Sequence, residues 1–233
     1  MTSLADKAYD LIREKIVAGT ISADQAISER SLAESLNLGR TPVREALKEL
    51  QRDGLLMVVP GRGTFLRQLT LDEVRDIYEV RMGLEGIAAY LAAERGPTPE
   101  LRTLEPVLHQ MLARSDDFTV TQMQEAGWTL HREIFRSTQN QRLIQTYEDL
   151  YLQIALALSL TRAHEPGRVK ATVAEHLGIL EAILSGRAKE AQELIWDHLA
   201  NALEARVRIF SRFSGHRQNQ TNALAGGIPA GTD

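Results

Sequence analysis

The apolar positions change period several times in the first third of the chain. Leu4, Ala8, Leu11, Ile12 and Ile16 recur at helical spacing, and Gly19 ends the run. A second short helical pattern covers Ser31, Leu32, Ala33, Glu34, Ser35 and Leu36. A third opens at Thr41 and turns Val43, Ala46, Leu47 and Leu50 to one side. Asn37-Leu38-Gly39-Arg40 between them reads as a tight turn, with Gly39 expected to take the left-handed conformation. Thr41 is the expected N-cap of the third helix and Pro42 its first residue. The period then shortens: Leu55 to Val59 and Thr64 to Leu66 read as strands around Pro60-Gly61-Arg62-Gly63, a hairpin with Arg62 at its tip. Two helices on a short turn, a preceding helix and a following hairpin make a winged helix-turn-helix.

From Leu71 onward only helical periods follow. They predict six helices, near residues 71–95, 99–115, 119–137, 141–162, 168–185 and 188–212, broken at Gly96-Pro97, Asn140, Glu165-Pro166-Gly167 and Gly186. Connections this short favour an antiparallel all-α bundle. The expected organisation is mainly α: a winged helix-turn-helix over 1–67, a six-helix bundle over 71–213, and a polar, Gly-containing tail without structure over 214–233.

Composition narrows the class of partner. The chain has 233 residues and a net charge of −4, which at first argues against nucleic acid. Residues 1–69 nevertheless hold 10 Lys and Arg against 9 Asp and Glu, and residues 40–67 hold six against three. The positive groups therefore gather on the third helix and the wing. Charge alone would bind DNA weakly, so base contacts and a homodimer are expected to supply the rest. There is no cysteine, no apolar run of membrane-spanning length and no leader-like N-terminus, so a cytoplasmic protein with no membrane partner is expected.

The third helix carries the candidate DNA chemistry. Its N-terminal end suits a phosphate, because unpaired N–H groups and the positive end of the dipole meet there. Arg40, Thr41, Arg44 and Lys48 cluster near it, and Arg44 is long enough to reach a guanine edge. Arg62 on the wing is placed for phosphate or the minor groove. The plainer alternative is a small helical domain with solvated cations; the order of turn, Arg-bearing helix and basic hairpin favours the DNA reading.

The helical part holds a second constellation. His131, His176 and His198 each fall on the inward face of a different predicted helix, whereas His109, His164 and His216 fall on exposed positions or breaks. A lone inward histidine is usually a core residue bonded to its surroundings. Three facing one core point instead to a shared metal site, Zn²⁺ or Ni²⁺ by ligand type. Arg81 lies on the apolar stripe of Val74, Ile77, Leu84 and Ala88, and an inward arginine needs an anion. Glu85 at i+4 is one candidate; the carboxylate of a bound ligand is the other.

Two resemblances join these parts. Glu29 to Leu36, Arg40 to Leu47, Leu50 with Arg52 to Leu55, and Gly61, Gly63 and Phe65 resemble the winged helix of the GntR family of transcriptional regulators. That resemblance implies DNA contacts by Arg30, Arg40, Thr41, Arg44, Gly61 and Arg62. Val80-Arg81, Leu84-Glu85, His131, Asn140 with Leu143, Glu175-His176 and His198-Leu199 resemble the FCD ligand-binding domain of one branch of that family (the FadR subfamily), and six helices place it nearer the VanR-like group. The FCD resemblance implies a divalent metal held by the three histidines and an acid four residues before the first, with Arg81 beside the effector. Here the acid's position is Gly127. With no protein carboxylate expected beside the ion, the pocket should be unusually positive and should attract a small organic acid. The expected function is a ligand-responsive regulator, a repressor, binding an inverted-repeat operator as a homodimer. The alternatives are a metal-free effector site in the same pocket and a three-histidine metalloenzyme; an enzyme is not expected, since no acid or base has a clear place beside His131.

Overall fold

The computed structural model describes residues 3–159 and 167–225, without the side chains of 152, 158, 159 and 212–225. The chain gathers into two compact units, one of residues 1–77 with 140–162, the other of 78–139 with 163–233.

The first unit opens with α1 (Leu4–Val17), which Ser3 and Asp6 start with a reciprocal capping box. It buries Ala8, Ile12 and Ile16, while Leu4 stays exposed. Next come α2 (Glu29–Leu36), capped by Ser28, and α3 (Arg40–Arg52). The turn between them differs from the sequence expectation. Asn37, not Gly39, takes the left-handed conformation, at φ 52° and ψ 44°. Asparagine tolerates this region because its short polar side chain bonds locally. Gly39 is extended and is itself the N-cap, so Thr41 and Pro42 lie inside the first turn of α3. The reason is steric and electronic: Pro42 has no N–H to donate, and the first-turn N–H groups have no intrahelical partner in any case, so the helix can begin before it.

Val43, Ala46, Leu47 and Leu50 of α3 are buried, as the period predicts. Tyr9 on α1 donates its hydroxyl to Asp53, the C-cap of α3, at 2.6 Å. Strands β1 (Leu56–Val59) and β2 (Gly63–Leu66) pair antiparallel, with Met57 opposite Phe65. Arg62 N–H donates to the Val59 carbonyl, and Gly61 has φ 73°, so Val59-Pro60-Gly61-Arg62 is a turn of the Pro-Gly kind that needs a residue free to adopt positive φ. Ile27 adds a single bridge to Thr64. Helix α8 (Gln141–Ser159) belongs to this unit and packs on α1, where Arg13 lies over the Tyr151 ring.

Helix α4 (Leu71–Arg95) begins directly after the wing. Thr70 and Glu73 bond reciprocally at its start, and Arg67 pairs with Glu73. The second unit holds the rest of α4 with α5 (Pro99–Arg102), α6 (Leu104–Ala113), a 3₁₀ turn over Ser115–Asp117, α7 (Val120–Ser137), α9 (Arg168–Leu184) and α10 (Ala188–Ala225). Helix α9 is central, packing on α6, α7 and α10.

The helix expected over 99–115 is two helices that break at Thr103. Pro106 explains the break: it cannot donate to the carbonyl of Arg102, and its ring crowds that oxygen. Where the tail was expected to lack structure from 214, α10 continues to Ala225; residues 216–225 contain no Gly or Pro to stop it, and 226–233 lie outside the described residues. Trp196 of α10 closes on α4, donating its indole N–H to the Met82 carbonyl at 2.8 Å. Gly86 makes room for that ring: a Cβ there would stand 2.2 Å from the indole nitrogen.

Candidate functional site

The first candidate surface is the outer side of α2, α3 and the wing. Arg40, Thr41, Arg44, Gly61 and Arg62 are all exposed. Arg44 is held against α2, with Nη2 3.0 Å from Glu29 Oε2 and Nε 3.1 Å from the same oxygen. Arg30 pairs with Glu34 at i+4 and is largely exposed. Arg62 stands over the Phe65 ring, 5.9 Å from its centroid, which stiffens the wing tip. The arrangement presents guanidinium groups on α3 and on the hairpin, with acidic partners from α2 beside Arg44 and Arg30.

The second candidate site lies among α4, α7, α9 and α10. His131, His176 and His198 are buried and converge, each able to offer a ligand atom within 4.8 Å of the others. The Nε2 atoms of His176 and His198 are 3.3 Å apart. That is long for a hydrogen bond but close to the edge of a tetrahedron with arms of about 2.0–2.1 Å, the usual zinc–imidazole distance. His176 Nδ1 is buried with no hydrogen-bond partner among the described residues.

Two carboxylates hold the other rings. Glu175 Oε2 lies 2.8 Å from His198 Nδ1, and the same carboxylate receives both Nη groups of Arg168 and the amide of Asn201. Glu85 is fully buried on α4: Oε1 is 2.6 Å from Arg81 Nε, and Oε2 touches His131 Nδ1 at 2.6 Å without hydrogen-bond alignment. Arg81 also lies over the Tyr78 ring, whose hydroxyl is buried with no partner among the described residues. The expectation that no protein carboxylate stands at the cluster is therefore corrected: Glu85 and Glu175 both do, and Arg81 has Glu85 as its anion.

Gly127 acquires a steric explanation. It lies one turn before His131 on α7, and the His176 ring leans into its space. A Cβ at 127 would meet His176 Cε1 at 2.5 Å, closer than any side chain tolerates. His109 is exposed beside Glu181, as expected; His164 and the side chain of His216 lie outside the described residues.

The electrostatics favour neutral imidazoles. Burial, reinforced by His198 and His131, drives His176 well below the usual histidine range. Burial also lowers His198 to about 4, against the pull of Glu175. Burial alone would raise Glu175, but its bonds from His198 and Arg168 bring it to about 2. Burial likewise opposes ionisation of Glu85, yet Arg81 and His131 hold it below the normal carboxylate range. Neutral His176 and His198 with ionised carboxylates nearby are in the state a divalent ion requires, and the three rings converge, so the residues fit a metal.

The same shifts predict acid sensitivity of the metal-stripped protein. His198 titrates near 4 when folded and near 6.5 when free, so as pH falls the unfolded chain takes up its proton first. Stability tied to the neutral ring is complete above pH 6.5 and lost between 6.5 and 4, about 3 kcal/mol at about 1.4 kcal/mol per unit. His176 acts in the same sense, and Glu175 extends the loss below about 4.5. Thermal melts of chelated protein should show the melting temperature falling steeply from pH 7 to pH 4.5. A flat profile would contradict a buried neutral cluster.

In the sequence Glu175 stands out only within the FCD resemblance, with no role attached, Tyr78 does not stand out, and Glu85 reads only as a partner for Arg81. The signal was present for Glu85, because an inward carboxylate on the same stripe needs donors as much as an inward arginine needs an anion.

Comparison with known proteins agrees with both halves. The profile of bacterial regulatory proteins of the gntR family matches residues 4–66, and that of the FCD domain matches residues 76–201. The Nta operon transcriptional regulator of Aminobacter aminovorans is 31% identical over 190 residues, covering 79% of this chain and 86% of its own. The HTH-type transcriptional repressor RspR of Escherichia coli K12 is 24% identical over 198 residues, covering 84% and 86%. Among solved structures, E. coli McbR/YncC superposes with a TM-score of 0.75 at 19% identity over 91% of this chain and all of its own. No helix among the described residues is long and apolar enough to cross a membrane. A winged helix with arginines exposed on α3, followed by a helical domain built around a histidine cluster, and relatives named as transcriptional regulators, lead to one conclusion: this chain is a DNA-binding transcriptional regulator of the GntR family, in the branch that carries an FCD domain.

Proposed function

We propose that the protein is a cytoplasmic repressor that binds an inverted-repeat operator as a homodimer and is controlled by a small organic acid at a metal centre in its helical domain. Arg44 reads bases, Arg30, Arg40 and Thr41 fix the reading helix on the backbone, and Gly61 and Arg62 bring the wing to the neighbouring groove. One reading helix per chain covers only a half-site, so two-fold symmetry follows. Val80 and Ile87 on α4 and Trp196 on α10 are exposed apolar side chains suited to a partner subunit. If α5 and α6 count as one kinked helix, the described residues from 71 onward, α8 included, hold six α-helices, the number of the VanR-like group. RspR's name as a repressor supports the sign of regulation.

The observation that carries the effector site is the convergence of the buried His131, His176 and His198 beside the buried Arg81. These three would hold Zn²⁺, Ni²⁺ or a similar ion, which supplies a Lewis-acidic position for a carboxylate oxygen. Arg81, a buried cation beside the histidines, is the group proposed to meet the rest of the anion. Because α4 carries Arg81 and starts where the wing ends, a shift of this helix is the proposed route to the DNA-reading heads. A second reading, a metal-free effector site in the same pocket, draws on the His176 ring occupying the space over Gly127.

A thermal-shift screen of small carboxylic acids against metal-loaded and chelated protein tests this. Binding to the native state raises the melting temperature by mass action. Stabilisation of the loaded form alone supports the metal reading. Equal stabilisation of both forms favours the second, and no response to any acid opposes both.

A further inference from the structure

The acid that the FCD resemblance implies at position 127 is absent, and the His176 ring fills its place. We propose that Glu85 takes over that acid's task from a different helix: it holds His131 by Nδ1 so that Nε2 faces the metal, and it supplies the negative charge that position 127 lacks. This rests on the metal reading above.

Three observations carry it. First, Glu85 is 0% exposed, and a carboxylate so placed is costly unless both oxygens are engaged. A purely structural partner for Arg81 needs only Oε1, the oxygen 2.6 Å from Arg81 Nε. Oε2 lies instead against His131 Nδ1 at 2.6 Å, a charge contact short of hydrogen-bond alignment that a small turn of the ring would close. Second, with Nδ1 against a carboxylate, the His131 proton belongs on Nδ1 and the lone pair on Nε2, the form that binds a metal. Third, the same device recurs at the neighbouring ring. Glu175 holds His198 Nδ1 at 2.8 Å, and His198 Nε2 faces His176 Nε2 at 3.3 Å. Two carboxylates, from α4 and α9, thus lie against the Nδ1 atoms of two of the three rings, bonded at His198 and in charge contact at His131. Glu85 is a positioning residue, and through its other oxygen it joins the metal ligand His131 to Arg81.

The test uses full-length protein and Zn²⁺. In wild-type protein loaded with Zn²⁺, proton–nitrogen correlation spectra of the imidazoles should show His131 protonated on Nδ1 and shifted by metal on Nε2. Glu85→Gln, which keeps the shape and removes the charge, should bind Zn²⁺ about 10–100-fold more weakly in chelator competition, the range for an outer-shell partner. It should also lose the strongly deshielded His131 Nδ1 proton. His131 bound through Nδ1, or Glu85→Gln binding at wild-type strength, overturns the inference and leaves the metal reading standing. If Glu85→Gln does not fold, the wild-type tautomer decides alone. Wild-type protein that takes up no Zn²⁺ overturns the metal reading and this inference with it.

Discussion

Arg44→Ala is expected to abolish selective operator binding. Arg44 sits in the first turns of α3 with its guanidinium outside the core, half exposed and steadied by Glu29. A bidentate arginine contact to guanine is worth about 1–3 kcal/mol, and a two-fold dimer loses two of them, a weakening of about 30-fold to 10⁴-fold. Loss should be confined to the preferred sequence, leaving the weak salt-dependent affinity for random DNA. Arg62→Ala is the contrast. A wing contact to phosphate carries little sequence information, so its loss should weaken all sequences alike and reduce the salt slope by about one per contact. Fluorescence anisotropy against a selected operator and a scrambled duplex, over a range of salt, separates the two. Operator binding by Arg44→Ala at wild-type strength would show that α3 is not the reading helix.

The second large effect is expected at the helical domain. His176→Ala removes one of three ligands and should weaken Zn²⁺ binding beyond the ~10–100-fold typical of losing an outer-shell partner. His198 would keep its Glu175 anchor and His131 its contact with Glu85, but two imidazoles alone do not hold an ion tightly. The stabilisation by organic acids should disappear with the metal. His109→Ala is the matched control: it is an exposed histidine beside Glu181, and its replacement should change nothing at the metal. Isothermal titration with circular dichroism to verify folding reads both. A His176→Ala protein that binds Zn²⁺ as the wild type does would remove His176 from the ligand set.

How much of this was legible in the sequence depended on the range of the interactions. Patterns set within one element came through well. The period over 43–50 gave the buried face of α3, and Pro60-Gly61 gave the hairpin turn, because side-chain spacing and φ preference act locally. The inward positions of Arg81 and the three histidines were readable for the same reason. Caps were less so. Thr41 looked like an N-cap by type, but Gly39 begins the helix, since the left-handed turn at Asn37 sets its start two residues earlier. The break at Thr103 was foreshadowed by Pro106, whose effect falls one turn upstream of itself. What the sequence hid was pairing between helices. Glu85 meets His131 across 46 positions of chain, and Glu175 meets His198 across 23. No spacing rule connects such pairs, so the charge balance of the pocket is not readable from the sequence. Gly127 was visible as a departure, but its cause, the His176 ring, was not.

Elemental analysis of the protein purified without chelators tests most directly whether the three histidines hold a metal. The wild type should carry about one divalent ion per chain, and His176→Ala well below one. Wild-type protein with far less than one equivalent, unchanged in His176→Ala, would contradict the account and leave the cluster as core packing or a direct contact for the effector.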